Sequence, residues 1–177
     1  IKEGYISSIN QKACDFLPSF SNGNNCEITI KDLLTMSSGL NWSENYYNPI
    51  GQAAESYYGD NLRNLVMNLE SVEAPGQTFR YSSACTQLLT YILEEATGET
   101  VSEYIGKKLW KPMGAKYPAL WSKDSENGDE KGFCCINSNA RDFGRLGRLY
   151  LNFGNWEGVQ ILDTSYIKEA TSPAKLF

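Results

Sequence analysis

Along residues 60–70, DNLRNLVMNLE, the apolar positions Leu62, Leu65, Val66 and Leu69 fall at i, i+3, i+4 and i+7. That spacing predicts a helix with one buried face. The stretch 80–98, RYSSACTQLLTYILEEATG, repeats the pattern with Cys85, Leu88, Leu89, Ile92 and Ala96 on one side. A serine pair ahead of it can cap such a helix, and Gly98 stops it. In TIKDLLTMSSG (29–39), Thr29 and Asp32 have capping-box spacing; Ile30, Leu33 and Leu34 form the stripe, and Gly39 is the end. TVSE (100–103) opens a further helix that must finish before Pro112. NARDFGRLGRLYLNFG (139–154) reads as a helix capped by Asn137 or Ser138. Its Gly144 and Gly147 are spaced to let a neighbouring element come close, and Arg141, Asp142 and Arg145 form a solvated or ion-paired face. Asp163 caps a last helix running towards Ser172-Pro173.

The segments between are short of helical period. IKEGYI (1–6) reads as the last turn of a helix stopped by Gly4, and 11–25 as a turn-rich loop. Residues 41–52, NWSENYYNPIGQ, form an aromatic, asparagine-rich loop, and 73–79 a Pro-Gly turn. Residues 115–135 are mixed, with room for short strands, and QILD (160–163) reads as one short strand. The fold class this predicts is mainly α with a few short strands, without internal repeats or low-complexity segments.

Composition narrows the chemistry. A chain of 177 residues with 41% hydrophobic content is long enough for a sizeable core. Sixteen basic against 21 acidic residues give a net charge of −5 with no basic run, which argues against a nucleic-acid partner. No stretch approaches the roughly 20 apolar residues of a membrane span. The absence of histidine excludes a Ser-His-Asp or Cys-His set within these residues and removes the commonest zinc ligand. Five cysteines, none in Cys-x-x-Cys spacing, leave a Cys14–Cys26 bridge and buried free thiols as equal alternatives.

Tyr81 sits directly before the serine pair of the 80–98 helix. A phenol with pKa about 10 is a poor base at neutral pH unless a neighbouring cation lowers it. With no partner named by local sequence, Tyr81 reads first as a loop aromatic packed on the core beside a helix cap.

The order of four segments changes that balance. ITIKDLLTMSSGL, PGQTFRYSS with its LLTYILEEATG helix, KPMGA, and CCINSNARDFGRLGRLYLNFGNWEG occur in sequence. Together they resemble the β-lactamase-related serine hydrolases: class C β-lactamases, DD-peptidases, esterases and 6-aminohexanoate-dimer hydrolases. The resemblance covers essentially the whole chain. It implies that Tyr81 is the catalytic tyrosine of a Tyr-x-Asn motif, with Ser83 in place of the asparagine as a substrate-side group. Glu44-x-Tyr46-x-Asn48-Pro49 is similar to the substrate loop of the dimer-hydrolase branch, which makes Tyr46 a substrate-amide contact and Trp42 a neighbour in binding.

The family nucleophile belongs to a Ser-x-x-Lys motif that precedes the tyrosine. Here Ser165-Tyr-Ile-Lys168 and Ser172-Pro-Ala-Lys175 both follow Tyr81 and read as helix surface and chain end. No Lys-Thr-Gly or His-x-Gly string occurs after residue 150. By resemblance, residues 1–177 are a single partial domain, the central helical subdomain of the α/β β-lactamase/transpeptidase-like fold. Most of its antiparallel sheet is absent, and the nucleophile lies upstream of residue 1. The expected reaction is cleavage of an amide or ester (β-lactam, peptide, linear amide or ester) through an acyl-enzyme, with no metal or organic cofactor and with these residues inactive by themselves. The alternative is a non-catalytic peptidoglycan- or ligand-binding module of the same fold, and the blandest reading is an unrelated helical interaction domain. Self-association through the surface left by the missing sheet is a further expectation. The compartment stays open, with the resemblance tilting to the bacterial cell envelope over the cytoplasm.

Overall fold

A computed structural model describes residues 1–173. Thr29 opens the first helix: its Oγ1 accepts the Asp32 amide at 3.1 Å while the Asp32 carboxylate accepts the Thr29 amide at 2.9 Å. This reciprocal pairing satisfies two backbone donors that a helix start otherwise leaves open. The helices that follow are α1 (Ile30–Leu34), α2 (Gln52–Tyr58), α3 (Leu62–Met67), α4 (Ser83–Thr97), α5 (Val101–Ile105), α6 (Ala140–Leu151) and α7 (Thr164–Ala170). A turn of π-helix, Gly106–Trp110, extends α5 and ends before Pro112 as expected. The strands are β1 (Leu120–Trp121) antiparallel to β2 (Ile136–Asn137), and β3 (Asn155–Trp156) antiparallel to β4 (Val159–Gln160).

The chain folds as two units. The first comprises Ile1–Val101 with Lys123–Cys135, and the second Ser102–Ser122 with the described residues from Ile136 onward. In the first, α4 is the central element. Cys85, Leu88, Tyr91 and Ile92 are buried among Leu33 of α1, Leu62 and Val66 of α3, and Ala13, Leu17, Phe20 and Ile28 of the turn-rich region. Each such aliphatic side chain contributes roughly 1.5–3 kcal/mol on burial. Polar groups tie the periphery to this core. Buried Asn25 donates to the Leu69 carbonyl and accepts the Ser71 amide, both at 2.8 Å. Arg63 forks onto Asp129 at 3.2 Å, and its guanidinium lies 4.1 Å from the centre of the Tyr91 ring. In the second unit, Met113, Leu149 and Trp156 are buried together, with Leu109, Trp110, Leu146, Ile161 and Leu162 packed around them. The β3–β4 turn uses Glu157 and Gly158, both at positive φ, as a tight two-residue hairpin requires.

Several expectations need correction. Residues 1–4 form a turn closed by the Gly4 amide on the Ile1 carbonyl at 2.9 Å, not a helical turn. Helix α2 was not expected in or after the 41–52 loop. Its QAAESYY sequence carries few aliphatics, and its stability comes from Ala53 and Ser56 buried against neighbours. Strand β4 covers Val159–Gln160, one residue ahead of the expected 160–163. The α6 cap is Asn139, not Asn137 or Ser138: its Oδ1 accepts the amides of Arg141 and Asp142 at 3.1 and 3.0 Å. Among the described residues no element makes the expected close approach to Gly144 or Gly147, where an added Cβ would meet none of them within 4 Å. Of the two readings of the Arg141, Asp142 and Arg145 face, the ion-paired one holds for Asp142 and Arg145, and Asp142 is buried. It accepts the amides of Lys116 and Tyr117, at 3.1 and 3.0 Å, and Arg145 Nε at 3.1 Å. Among the cysteines, Cys14 is bridged to Cys26 and Cys134 to Cys135, leaving Cys85 as a buried thiol.

Candidate active site

The site is assembled in the first unit from two segments, the loop after α1 and the start of α4. Gly39 makes the loop possible. Its φ is +71°, and a Cβ there would lie 2.3 Å from the Glu73 carbonyl oxygen. Only glycine allows the chain to pair so closely with 70–73, where the Val72 amide donates to the Gly39 carbonyl at 2.9 Å and the Asn41 amide to Glu70 at 2.9 Å. The chain beyond this pairing then delivers Trp42, Glu44 and Tyr46 at every second position, with Tyr46 in a turn. Further along, the Ser43 amide is held by Gln52 of α2 at 2.8 Å.

The α4 side begins with Arg80, whose amide donates to the Met36 carbonyl at 2.8 Å. Ser82 is the cap, its Oγ accepting the Cys85 amide at 3.4 Å. Ser83 is the first helical residue and is buried. Tyr81, just ahead of the cap, is 61% exposed, and its hydroxyl has no hydrogen-bond partner among the described residues.

Glu44 joins the two segments. One carboxylate oxygen, Oε1, accepts Trp42 Nε1 at 2.8 Å and also the Ser83 backbone amide in a very short contact. The other, Oε2, accepts the Tyr46 hydroxyl at 2.6 Å. Partial burial pushes the Glu44 carboxyl up, but the hydrogen bonds from Tyr46, the Ser83 amide and hydroxyl, and Trp42 outweigh it, so the group is held below its ordinary range. Tyr46 is affected in the opposite sense: donating to a carboxylate, aided by burial, pushes its phenol up to about 12. At neutral pH the cluster is thus a carboxylate and a neutral phenol. The Tyr46 ring also stands edge-on to Tyr57 at 6.3 Å between centres, and Tyr57 to Phe133 at 5.3 Å. Lys131 Nζ donates to the Tyr57 carbonyl at 2.5 Å, so the 123–135 segment supports this aromatic row.

Three of the four residues expected from sequence, Trp42, Tyr46 and Ser83, therefore meet at one carboxylate. Tyr81 lies two residues before Ser83 in the chain. Glu44 itself was named in the loop pattern but given no role. The signal was available, since an acidic side chain with an aromatic hydrogen-bond donor two residues away on either side has two partners within local reach. Of the two Ser-x-x-Lys strings, Ser165 is bonded to Asp163 at the α7 start, with Lys168 5.9 Å from the centre of the Phe153 ring, so they do not form a serine–lysine pair. The second string, 172–175, extends outside the described residues.

The fold is the helical part of the β-lactamase and penicillin-binding-protein-like hydrolase fold. The sequence profile of the Beta-lactamase family matches residues 3–174, and the chain belongs to that family. The 6-aminohexanoate-dimer hydrolase of Paenarthrobacter ureafaciens is 25% identical over 182 aligned residues, covering 95% of this chain and 45% of the relative. A Bacillus anthracis protein assigned as a 6-aminohexanoate-dimer hydrolase superposes with a TM-score of 0.83 at 23% identity, over 94% of this chain and 47% of its own. A D-stereospecific amidohydrolase from Streptomyces gives a TM-score of 0.69 at 20% identity, covering 99% of this chain and 61% of its own. The chain spans less than half the length of the curated relatives it matches.

Proposed function

We propose that these residues form the substrate-side, tyrosine-bearing part of a serine hydrolase that cleaves linear amides through an acyl-enzyme. The observation that carries this reading is the convergence of Trp42, Tyr46 and Ser83 on Glu44, with Ser83 two residues along the chain from Tyr81 and with Tyr46 and Tyr81 both more than half exposed. The serine and lysine of the Ser-x-x-Lys motif come from residues outside this sequence, and so does the strand that lines the oxyanion. These residues by themselves therefore do not hydrolyse substrate. In the complete enzyme the serine oxygen attacks the amide carbonyl carbon. Its proton passes by way of Tyr81 to the amide nitrogen, the C–N bond breaks, and the amine leaves. Water then attacks the acyl-enzyme, gives its proton back through Tyr81 to the serine oxygen, and releases the acid. Tyr46 contacts the substrate amide from the loop side, and Trp42 backs it.

The test is intact-mass detection of an acyl adduct on the full-length enzyme given a linear amide or a serine-directed acylating probe. The residue 1–177 chain should take up none. Tyr81→Phe in the full-length enzyme should lower kcat by roughly 10²–10⁴ with KM little changed, because a general acid–base group acts mainly in the transition state. Stoichiometric labelling of a serine within 1–177, or a Phe variant with normal kcat, overturns the reading.

A further inference from the structure

The two oxygens of Glu44 have different duties. Oε1 faces two fixed donors, Trp42 Nε1 and the Ser83 amide, and Oε2 receives a rotatable donor, the Tyr46 hydroxyl. A phenol carries a single proton. Once that proton points at Glu44, the exposed side of the Tyr46 oxygen is left with lone pairs only. Tyr46 is 57% exposed, so that side is open to an incoming group. The Ser83 hydroxyl, which favours the ionised form of both Glu44 and Tyr46, has one proton and can give it to only one of them at a time; in either case the Tyr46 proton stays on Glu44.

We propose that Glu44 is a positioning residue that fixes the Tyr46 hydroxyl as a hydrogen-bond acceptor, so that the site favours a substrate presenting an N–H there and disfavours one presenting an oxygen. This rests on the reading of Tyr46 as a substrate contact. An amide offers a donor N–H at its scissile nitrogen, whereas the matching ester offers an oxygen lone pair. Against an acceptor-only phenol the ester places two acceptors face to face, and a buried or half-buried pair of that kind is left without its hydrogen bond.

Glu44→Gln separates this role from simple loop support. With its carbonyl oxygen in the Oε1 position, the glutamine keeps the bonds to Trp42 and to the Ser83 amide. The reverse orientation would set its NH2 against two donors. The NH2 group therefore occupies the Oε2 position and donates to Tyr46, which turns the phenol proton outward. The loop stays in place while the polarity of Tyr46 inverts.

The experiment measures kcat/KM in the full-length enzyme for an amide and an ester of the same acyl group, in the wild type, Tyr46→Phe and Glu44→Gln. Hydrogen exchange over residues 41–48 is followed in parallel. The expected result is a roughly tenfold fall in the amide-to-ester ratio in Glu44→Gln, the worth of one hydrogen bond, with exchange unchanged. Tyr46→Phe should lower the same ratio. If Tyr46→Phe lowers it and Glu44→Gln leaves it unaltered, the positioning role is overturned while the Tyr46 reading stands. If Glu44→Gln opens 41–48 and both substrates are lost together, Glu44 only supports the loop and the proposal is overturned. A Tyr46→Phe variant with an unchanged ratio removes the substrate contact and the inference with it.

Discussion

Glu44 and Asp142 are both carboxylates held below their ordinary range, for different structural ends. Glu44 links a loop to a helix start across 39 residues of sequence. Asp142 sits one turn into α6 and collects donors from 116–117, Asn139 and Arg145. Burial opposes its charge, but those hydrogen bonds more than offset the cost and lower its pKa. The folded carboxyl is then depressed relative to the unfolded chain, whose Asp titrates near 4 (about 3.9). Its contribution to stability is present above that unfolded value and lost as pH falls through the lower folded one. Asp142→Asn should therefore lower the urea midpoint at pH 7 and by less at pH 3, below the unfolded value, where the unfolded chain has taken up most of a proton that the folded carboxyl still resists. An equal difference at both pH values would show that the charge of Asp142 does not matter to the fold.

At the scale of elements, α4 carries both the core and the site. Its hydrophobic side faces α1 and α3, and its first turn faces Glu44. Ser82 caps the helix and the Ser83 amide binds Glu44, although the two serines are adjacent and chemically identical. Ser82→Ala should cost about 1 kcal/mol, the usual worth of an N-cap. It should speed amide exchange at the start of α4 and leave kcat of the full-length enzyme nearly unchanged. A large kinetic loss with unchanged stability would assign Ser82 to the chemistry instead. The missed helix α2 belongs at this scale too: it supplies Tyr57, which stands between Tyr46 and Phe133.

At the scale of the whole molecule, disulfides add what short helices cannot. The first unit is built from helices of five to seven residues around one of fifteen. Helices so short are not stable alone and depend on tertiary contacts. The Cys14–Cys26 bridge closes a loop of 12 residues' separation in the irregular region that covers α4. Replacing both cysteines by serine should lower stability by about 2–4 kcal/mol, read as a shifted urea transition, mainly by freeing the unfolded chain. An unshifted transition would mean that the covering loop contributes nothing to the cooperative unit.

What the sequence determined by itself is local or ordered along the chain. The α1 capping box, the α3 and α4 stripes, the Gly98 stop and the Asp163 cap follow from spacings within a few residues, where side chain and backbone must meet whatever the rest of the chain does. The family was legible because four such segments recur in a fixed order. Tertiary structure decided what depends on distant partners. The spacing of Asp142 and Arg145 allows their ion pair to be read from sequence, but not that the 116–117 backbone closes over Asp142. Helix α2 has no strong period and forms because neighbours bury Ala53 and Ser56. The Cys134–Cys135 bridge lacks any spacing rule, since adjacent cysteines pair only when the backbone turns at Cys135, at φ +69°. Glu44 belongs to both groups. Its bonds to Trp42 and Tyr46 are made within two residues of chain on either side, while its bond to Ser83 exists only because Gly39 lets residues 39–41 pair with 70–73 and the loop reach the start of α4.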